Sequence, residues 1–404
     1  MEQKNKTHKI GIDARMYGAE QTGIGNYIKN LINNLAEIDK KNQYIIFLLE
    51  KEFDKFNPPA ENFKKVKVKA HWYSWREQII LPLQLLKERL DLIHFPHFNS
   101  PILYPGKSIV TIHDITPFFF PGHKMNSRLR RRAFKAVFGS SIRKAEKVIA
   151  VSNSTKEDVI KYFSADPRKI EVVYEGVGDN FKILPNRDKI KKDIAEKYGA
   201  AKPFIFYAGV WRNHKNVVGL IKAFEKLKNG FGLDIQLVLG GKEDPFYPEI
   251  LKAIKDLDLE KDIICPGFIP EEELVLFYNA CELFVIPSFY EGFGLTGLEA
   301  FACGAPVAAS GIAPLKEILG SAAKYFDPHN YDEMARVMKE VLTDLPAYGG
   351  SLPAAGRRTG GKDKMVKSGL EKAQKYSWRK MAEETLKIYL KTLKKNDRNQ
   401  NNKT

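Results

Sequence analysis

Two acids, Glu291 and Glu299, stand with seven residues between them in the stretch 286–310, IPSFYEGFGLTGLEAFACGAPVAAS. An apolar run leads in, and a glycine-rich turn follows from 291 to 294. A helical pattern then starts near Leu295 and stops around Gly304, before Pro306. The first amides of a helix have no intrahelical partner, so this end suits an anion such as a diphosphate. One acid would then face a ligand group beside the phosphates, and the other would take hydroxyls further along. The plain alternative is a loop acid and a solvated helix residue. The apolar run Ala300–Phe301–Ala302–Cys303 argues against it, because a glutamate there is costly to bury unless paired or bound.

Cations lie in a matching position elsewhere. Gly209 follows an apolar strand and permits a tight turn, and Arg212 and Lys215 come just before a helix. Two cations there can neutralise a diphosphate leaving group, and arginine can hold two phosphate oxygens at once. Solvated loop cations are the competing reading. Gly23 and Gly25 form a comparable turn near the N-terminus, where a bare backbone lets a phosphate or sugar approach closely. The spacing is not G-x-G-x-x-G, so the nicotinamide fingerprint is absent. His113 ends the strand SIVTIHD and could hydrogen-bond a sugar hydroxyl or stabilise developing charge, or else be satisfied by local backbone. His94 and His97 end a neighbouring run, but the acids and spacing of a metal site are missing.

The elements that must position these groups alternate strand and helix, which implies α/β architecture with mostly parallel, doubly wound sheets. We expect a first Rossmann-like domain over 1–182 and a charged linker with a short helix over 183–202. A second domain over 203–377 follows, then a helix over 378–394 and a disordered tail over 395–404. The Gly- and Pro-rich segment 344–361 reads as a surface loop or insertion. Ligands in such sheets bind outside the carboxyl ends of the strands.

The chain has 404 residues and a formal net charge of +16, which favours anionic partners such as nucleotides or acidic lipid. Nucleic acid is disfavoured, since no zinc-finger, RNP-like or basic-zipper pattern occurs. Three cysteines, Cys265, Cys281 and Cys303, make no metal or disulfide pattern, and a reducing cytoplasm is the simplest inference. No apolar run reaches the roughly 20 residues that span a bilayer. The expected helix 126–144 carries Arg128, Arg130, Arg131, Arg132, Lys135, Arg143 and Lys144 with no acid. It reads either as an interfacial helix on an anionic membrane or as an amphipathic helix with a solvated basic face. His123, Trp72, Tyr73 and Trp75, expected in loops, could add exposed aromatic contacts.

The ordered set TGIGNY, TIHDITP, VIAVSNSTKEDV, YAGVWRNHKN, EGFGLTGLEAFACGAPVAAS and the late Ser377–Trp378 resembles the retaining glycosyltransferases called group 1, or family 4, over almost the whole chain. The resemblance implies the GT-B architecture: two Rossmann-like doubly wound domains facing across a cleft, with the last helix crossing back to the N-terminal domain. It implies that Glu291 contacts the donor sugar hydroxyls and Glu299 the ribose. Amides of Gly292, Phe293, Gly294, Leu295 and Thr296 would meet the diphosphate, with Gly23 across the cleft and Gly209 in the donor loop. Lys215 matches the phosphate-binding lysine and His113 the histidine near the reaction centre, while Phe268 and Ile269 lie where backbone recognises the base. The chain departs from the family at Val210, where many members carry arginine and for which Arg212 is the candidate replacement. It departs again at Thr296, often proline, and in the loop after Asp344.

The implied reaction is sugar transfer from a nucleotide-diphosphate donor, GDP-mannose or a UDP-sugar, with retention, no metal and no cofactor. The opening GIDARMYG and the TIHD segment look most like mannosyltransferases of surface-polysaccharide assembly. Their acceptors are glycans or lipid-linked sugars, which suits Arg130, Arg131 and Arg132 as acceptor or membrane contacts on the inner membrane face. A GT-B epimerase or phosphorylase, or a non-catalytic nucleotide-binding module, are the alternatives.

Overall fold

The computed structural model describes residues 6–18, 22–122, 127–343 and 360–401. The chain divides into two compact units. Unit 1 comprises Met1–Gly176 with Ser377–Thr404, and unit 2 comprises Val177–Tyr376.

Unit 1 is built on a seven-stranded parallel sheet: β1 (Lys9–Asp13), β2 (Gln43–Leu49), β3 (Phe63–Val68), β4 (Leu92–Phe95), β5 (Ser108–Ile112), β6 (Lys147–Ala150) and β7 (Ile170–Val172), in the order β3-β2-β1-β4-β5-β6-β7. Its central strands are short apolar runs buried on both faces, as parallel sheets covered by helices require. The Thr22–Ile38 helix buries Tyr27, Leu31 and Leu35 and packs against the final helix, Trp378–Asn401. Tyr389 of that last helix lies 2.6 Å from Nδ1 of His94, so a residue from the far end of the chain seats on β4. Gly176, the last residue before the chain leaves unit 1, has room for no side chain: a Cβ would lie 2.0 Å from the Trp378 amide.

Unit 2 holds a six-stranded parallel sheet: β8 (Phe204–Ala208), β9 (Gln236–Gly240), β10 (Ile263–Gly267), β11 (Leu283–Ile286), β12 (Val307–Ser310) and β13 (Lys324–Phe326), in the order β10-β9-β8-β11-β12-β13. Each sheet reverses its strand order once. The reversals fall between β1 and β4 and between β8 and β11.

Three expectations need correction. The charged stretch 183–202 is not a free linker but part of unit 2. Its helix Arg187–Tyr198 buries Ile190 and Ile194, one turn apart, and Arg187 donates to the Asn279 and Cys281 carbonyls at 2.9 and 2.7 Å. High charge hid a two-residue apolar face. The backbone is also helical through Asn401, where a disordered tail was expected from 395. The buried face Met381, Thr385, Tyr389 and Leu393 starts this helix, and extending a started helix is cheap. Trp75 is not in a loop; it opens the Trp75–Lys87 helix, capped by Ser74. Residues 344–359, Asn126 and His123 lie outside the described residues; helix resumes at Gly360.

Candidate active site

In unit 2 the reversal point of the sheet carries a cation–carboxylate pair. Lys215 follows β8 and Glu291 follows β11, and Lys215 Nζ lies 2.7 Å from Glu291 Oε1. Ser288 Oγ donates to the same oxygen at 2.7 Å. Burial works against the Glu291 charge, but the Lys215 charge and hydrogen bond together with Ser288 outweigh it and hold the carboxyl below its ordinary range. Neighbouring His214 is pulled down to about 3 by burial and by the Lys215 and Arg212 charges, so at neutral pH it is uncharged.

Local backbone explains how two residues far apart in sequence meet. Residues 213–215 make one 3₁₀ turn, and Asn216 leaves it in the left-handed region, φ 54°. The Asn216 amide group then donates to the Pro287 carbonyl at 3.0 Å and to Pro328 at 2.8 Å. Phe289 N donates to the His214 carbonyl at 2.8 Å. The loop after β8 is thus tied to the turn after β11 on both sides of the ion pair.

Past Glu291 the chain turns through Gly292 and Phe293, both buried, into Gly294 at φ 96°. A Cβ on Gly294 would also sit 2.4 Å from Leu315, so glycine is required twice over. The Leu295–Ala302 helix starts there without a side-chain cap, leaving the half-buried Leu295 and Thr296 at its first turn. On its buried face Glu299 accepts a hydrogen bond from the Tyr278 hydroxyl at 3.0 Å. Glu291 therefore meets a cation and Glu299 a neutral phenol, which answers how a glutamate is tolerated beside the 300–303 run. Gly209 is half-buried and donates its amide to the Gly240 carbonyl at 3.0 Å. Arg212 is exposed and makes no ion pair among the described residues, so it does not join Lys215 on Glu291. Phe268 is exposed just after β10, while Ile269 is buried against Gly240.

Unit 1 contributes the remaining candidates. Gly23 is exposed in the first turn of its helix and a Cβ there would touch nothing, whereas Gly25 abuts the Gly18 carbonyl. His113 follows β5. Its Nδ1 lies 2.8 Å from Glu175 Oε1 and its Nε2 2.9 Å from the Pro96 carbonyl. Both partners are acceptors for a protonated ring, so this setting favours the imidazolium form. Burial lowers its proton affinity, but the Glu175 hydrogen bond and charge, the Pro96 carbonyl and Asp114 together raise it above the ordinary histidine value. Of the readings open for His113, the structure shows the ring satisfied locally, with both nitrogens engaged by Glu175 and the Pro96 carbonyl. His94 and His97 are pulled down to about 3, by burial first and then by the His113 charge.

Sequence reasoning missed Glu175, Asn216, Ser288 and Tyr278. It also missed an ion cluster at the reversal point of the first sheet. Arg15, just past β1, forks Asp13 through Nε at 2.8 Å and Nη2 at 2.7 Å, and Nη2 lies 2.7 Å from Glu77 Oε1. The Asn99 amide group, past β4, donates to the same Glu77 oxygen. Arg15, Asp13 and Glu77 are all buried. Arg130, Arg131 and Arg132 lie on the exposed face of the Arg128–Lys144 helix, which has no acidic residue.

Comparison with known proteins agrees with this arrangement. Residues 21–181 match Glycosyltransferase Family 4, and residues 187–348 match Glycosyl transferases group 1. O-antigen chain mannosyltransferase B of Escherichia coli is 25% identical over 384 residues, covering 91% of this chain and 96% of that protein. The serotype-specific mannosyltransferase WbdA of Escherichia coli is 29% identical over 246 residues, 60% of this chain, and the match spans only 30% of that protein. The structure of HepE from Anabaena in complex with UDP-glucose superposes with a TM-score of 0.72 at 16% identity, covering 95% of this chain and 100% of that one. With two parallel-sheet units, a matching family over each half and full-length similarity to a mannosyltransferase, the chain belongs to the group 1, family 4 glycosyltransferases of GT-B fold.

Proposed function

We propose that the protein transfers mannose, with retention, from a nucleotide-diphosphate donor to a glycan or lipid-linked acceptor in surface-polysaccharide assembly. The Lys215–Glu291 pair, fixed at the start of the Leu295–Ala302 helix, carries this reading. It sets a phosphate-binding cation beside an acceptor for sugar hydroxyls, which is how a sugar diphosphate presents itself. The acceptor hydroxyl attacks the anomeric carbon on the face the diphosphate leaves. The bond from that carbon to the diphosphate oxygen breaks, the new glycosidic bond forms, and the hydroxyl proton passes to the departing diphosphate. Lys215, Arg212 and the Leu295 and Thr296 amides stabilise the leaving charge, the role a divalent cation would otherwise fill. His113, with both ring nitrogens engaged, contributes positive charge rather than a proton. Glu299 holds the ribose, and backbone at Phe268 and Ile269 reads the base. The choice of mannose follows the relatives, and the donor class follows HepE, solved with UDP-glucose. No helix among the described residues is long and apolar enough to cross a membrane. The protein would act from the membrane surface, on the cytoplasmic side.

A thermal-shift screen of GDP-mannose and UDP-sugars tests the donor, since a ligand that binds the folded state raises the melting temperature. Product NMR then reads the anomeric configuration, and chelator reads the metal requirement. Donor turnover without acceptor would identify an epimerase, and no stabilisation by any nucleotide sugar would remove the proposal.

A further inference from the structure

The Trp75–Lys87 helix has two apolar faces, and only one of them is used inside unit 1. Glu77, Leu81 and Leu85 are buried. Trp75, Ile79, Leu83 and Leu86 are offset from these by about half a turn and are between 47% and 67% exposed. Helices on a globular surface normally show one apolar stripe and a polar back. Here the back is a second stripe of large apolar side chains, and a contiguous exposed apolar strip marks a binding surface.

What covers this strip is indicated by its neighbour. The Arg128–Lys144 helix exposes seven Arg and Lys residues and has no acid. Two links join the helices. Gln78 accepts from the Ile102 amide at 2.7 Å, and the Lys144 ammonium donates to the Ile102 carbonyl. On the other side Phe98 touches Tyr73 at 6.2 Å and Phe134 at 5.3 Å between ring centroids. Leu103, next to Ile102, is itself 66% exposed. Arg76 lies over the Trp75 ring at 5.6 Å, the aromatic and cationic pairing suited to a lipid–water boundary.

The geometry points to a two-part lipid-docking face on unit 1: Trp75, Ile79, Leu83 and Leu86 enter the acyl boundary of an anionic bilayer while the Arg128–Lys144 helix lies on its head groups. This extends the membrane reading given above, which rested on the basic helix and a few loop aromatics. The same helix turns Glu77 inward onto Arg15, so it joins the lipid face directly to the carboxyl edge of the first sheet.

The test is co-sedimentation of the full chain, without nucleotide sugar, with phosphatidylcholine vesicles that contain or lack phosphatidylglycerol. The wild type should pellet with the anionic vesicles, and tryptophan emission should shift to the blue in a Trp72→Phe background, where Trp75 is exposed and the remaining Trp211 and Trp378 are buried. Ile79→Asp with Leu83→Asp should weaken pelleting at least about tenfold. Its melting temperature should stay unchanged, because both positions face solvent. Unchanged pelleting of that variant overturns the proposal, as does a wild type that stays in the supernatant. A dimer in light scattering that the variant dissolves, with no vesicle binding, assigns the strip to a second copy and overturns it too. Nucleotide-sugar stabilisation, measured separately, shows whether the transferase reading stands when the membrane one fails.

Discussion

The two sheets reverse strand order at equivalent points, and the residues there are used differently. Between β1 and β4 the Asp13–Arg15–Glu77 cluster is fully buried and satisfied from within. Between β8 and β11 the Lys215–Glu291 pair keeps part of both side chains accessible. Ligands of open α/β sheets bind at such reversal points. In unit 1 that place is sealed by ions that hold the strand ends and the Trp75–Lys87 helix, and the candidate group, His113, moves one strand outward to β5. In unit 2 the place is left open and holds the candidate chemistry. The same topology thus serves once as a clamp and once as a site.

Removing the arginine of the clamp gives the largest expected effect. Arg15→Met leaves two buried carboxylates without their cation and should cost about 3–5 kcal/mol of stability. Thermal unfolding reads this directly, and an unchanged melting temperature would dissolve the contrast between the two points. Glu291→Ala should instead spare the fold and lower kcat/KM by roughly 10²-fold or more if Glu291 holds the reacting sugar as proposed. A fall in melting temperature as large as that of Arg15→Met, with activity retained, would make this pair a second clamp.

The third effect is smaller and depends on pH. Glu175→Gln keeps the shape beside His113 and removes the charge. The alkaline limb of activity should move to lower pH, because the Glu175 charge and hydrogen bond are what raise the His113 proton affinity, whereas a merely structural role would lower activity equally at every pH. Stability should follow the same signs. His113 holds its proton more tightly folded than unfolded, so its pairing is fully stabilising below about pH 6.5. That contribution fades as pH rises through the raised folded value. Glu291 is the reverse, contributing above its unfolded value and losing that contribution as pH falls through the lowered folded one. Comparing melting temperatures of wild type and Glu175→Gln from neutral to alkaline pH should show the gap closing. Smallest of all, Ser288→Ala removes one hydrogen bond to Glu291 and should cost about 1 kcal/mol, read as a several-fold loss of kcat/KM.

The sequence made the two sheets legible because parallel strands buried on both faces are short unbroken apolar runs, and FIFYA and LFVI stand out against charged surroundings. Glu291 through Glu299 was legible because its turn, helix start and acids are contiguous. What escaped notice depends on distant partners. Glu175 is an ordinary acid until β5 sets His113, 62 positions earlier, beside it. Arg15 looks like a surface cation until Glu77 folds over it. Asn216 shows no signal in the sequence, because its partners are carbonyls, which every residue has. The outward stripe of the Trp75–Lys87 helix was hidden for another reason: periodicity shows that a face is apolar, not whether protein covers it.

The way the chain re-enters unit 1 at Ser377 also bears on its synthesis. The final helix, which packs against the Thr22–Ile38 helix and sets Trp378 against Tyr27, leaves the ribosome only after all of unit 2, roughly 200 residues later. At about 5–20 residues per second that is a wait on the order of 10–40 s. During it the nascent first unit lacks Tyr389 on His94 and shows bare apolar surface, while unit 2, one uninterrupted segment, can finish folding. A chain released before Ser377 would therefore carry a complete second unit and a sticky, unfinished first one, the kind of species that chaperones hold and proteases remove.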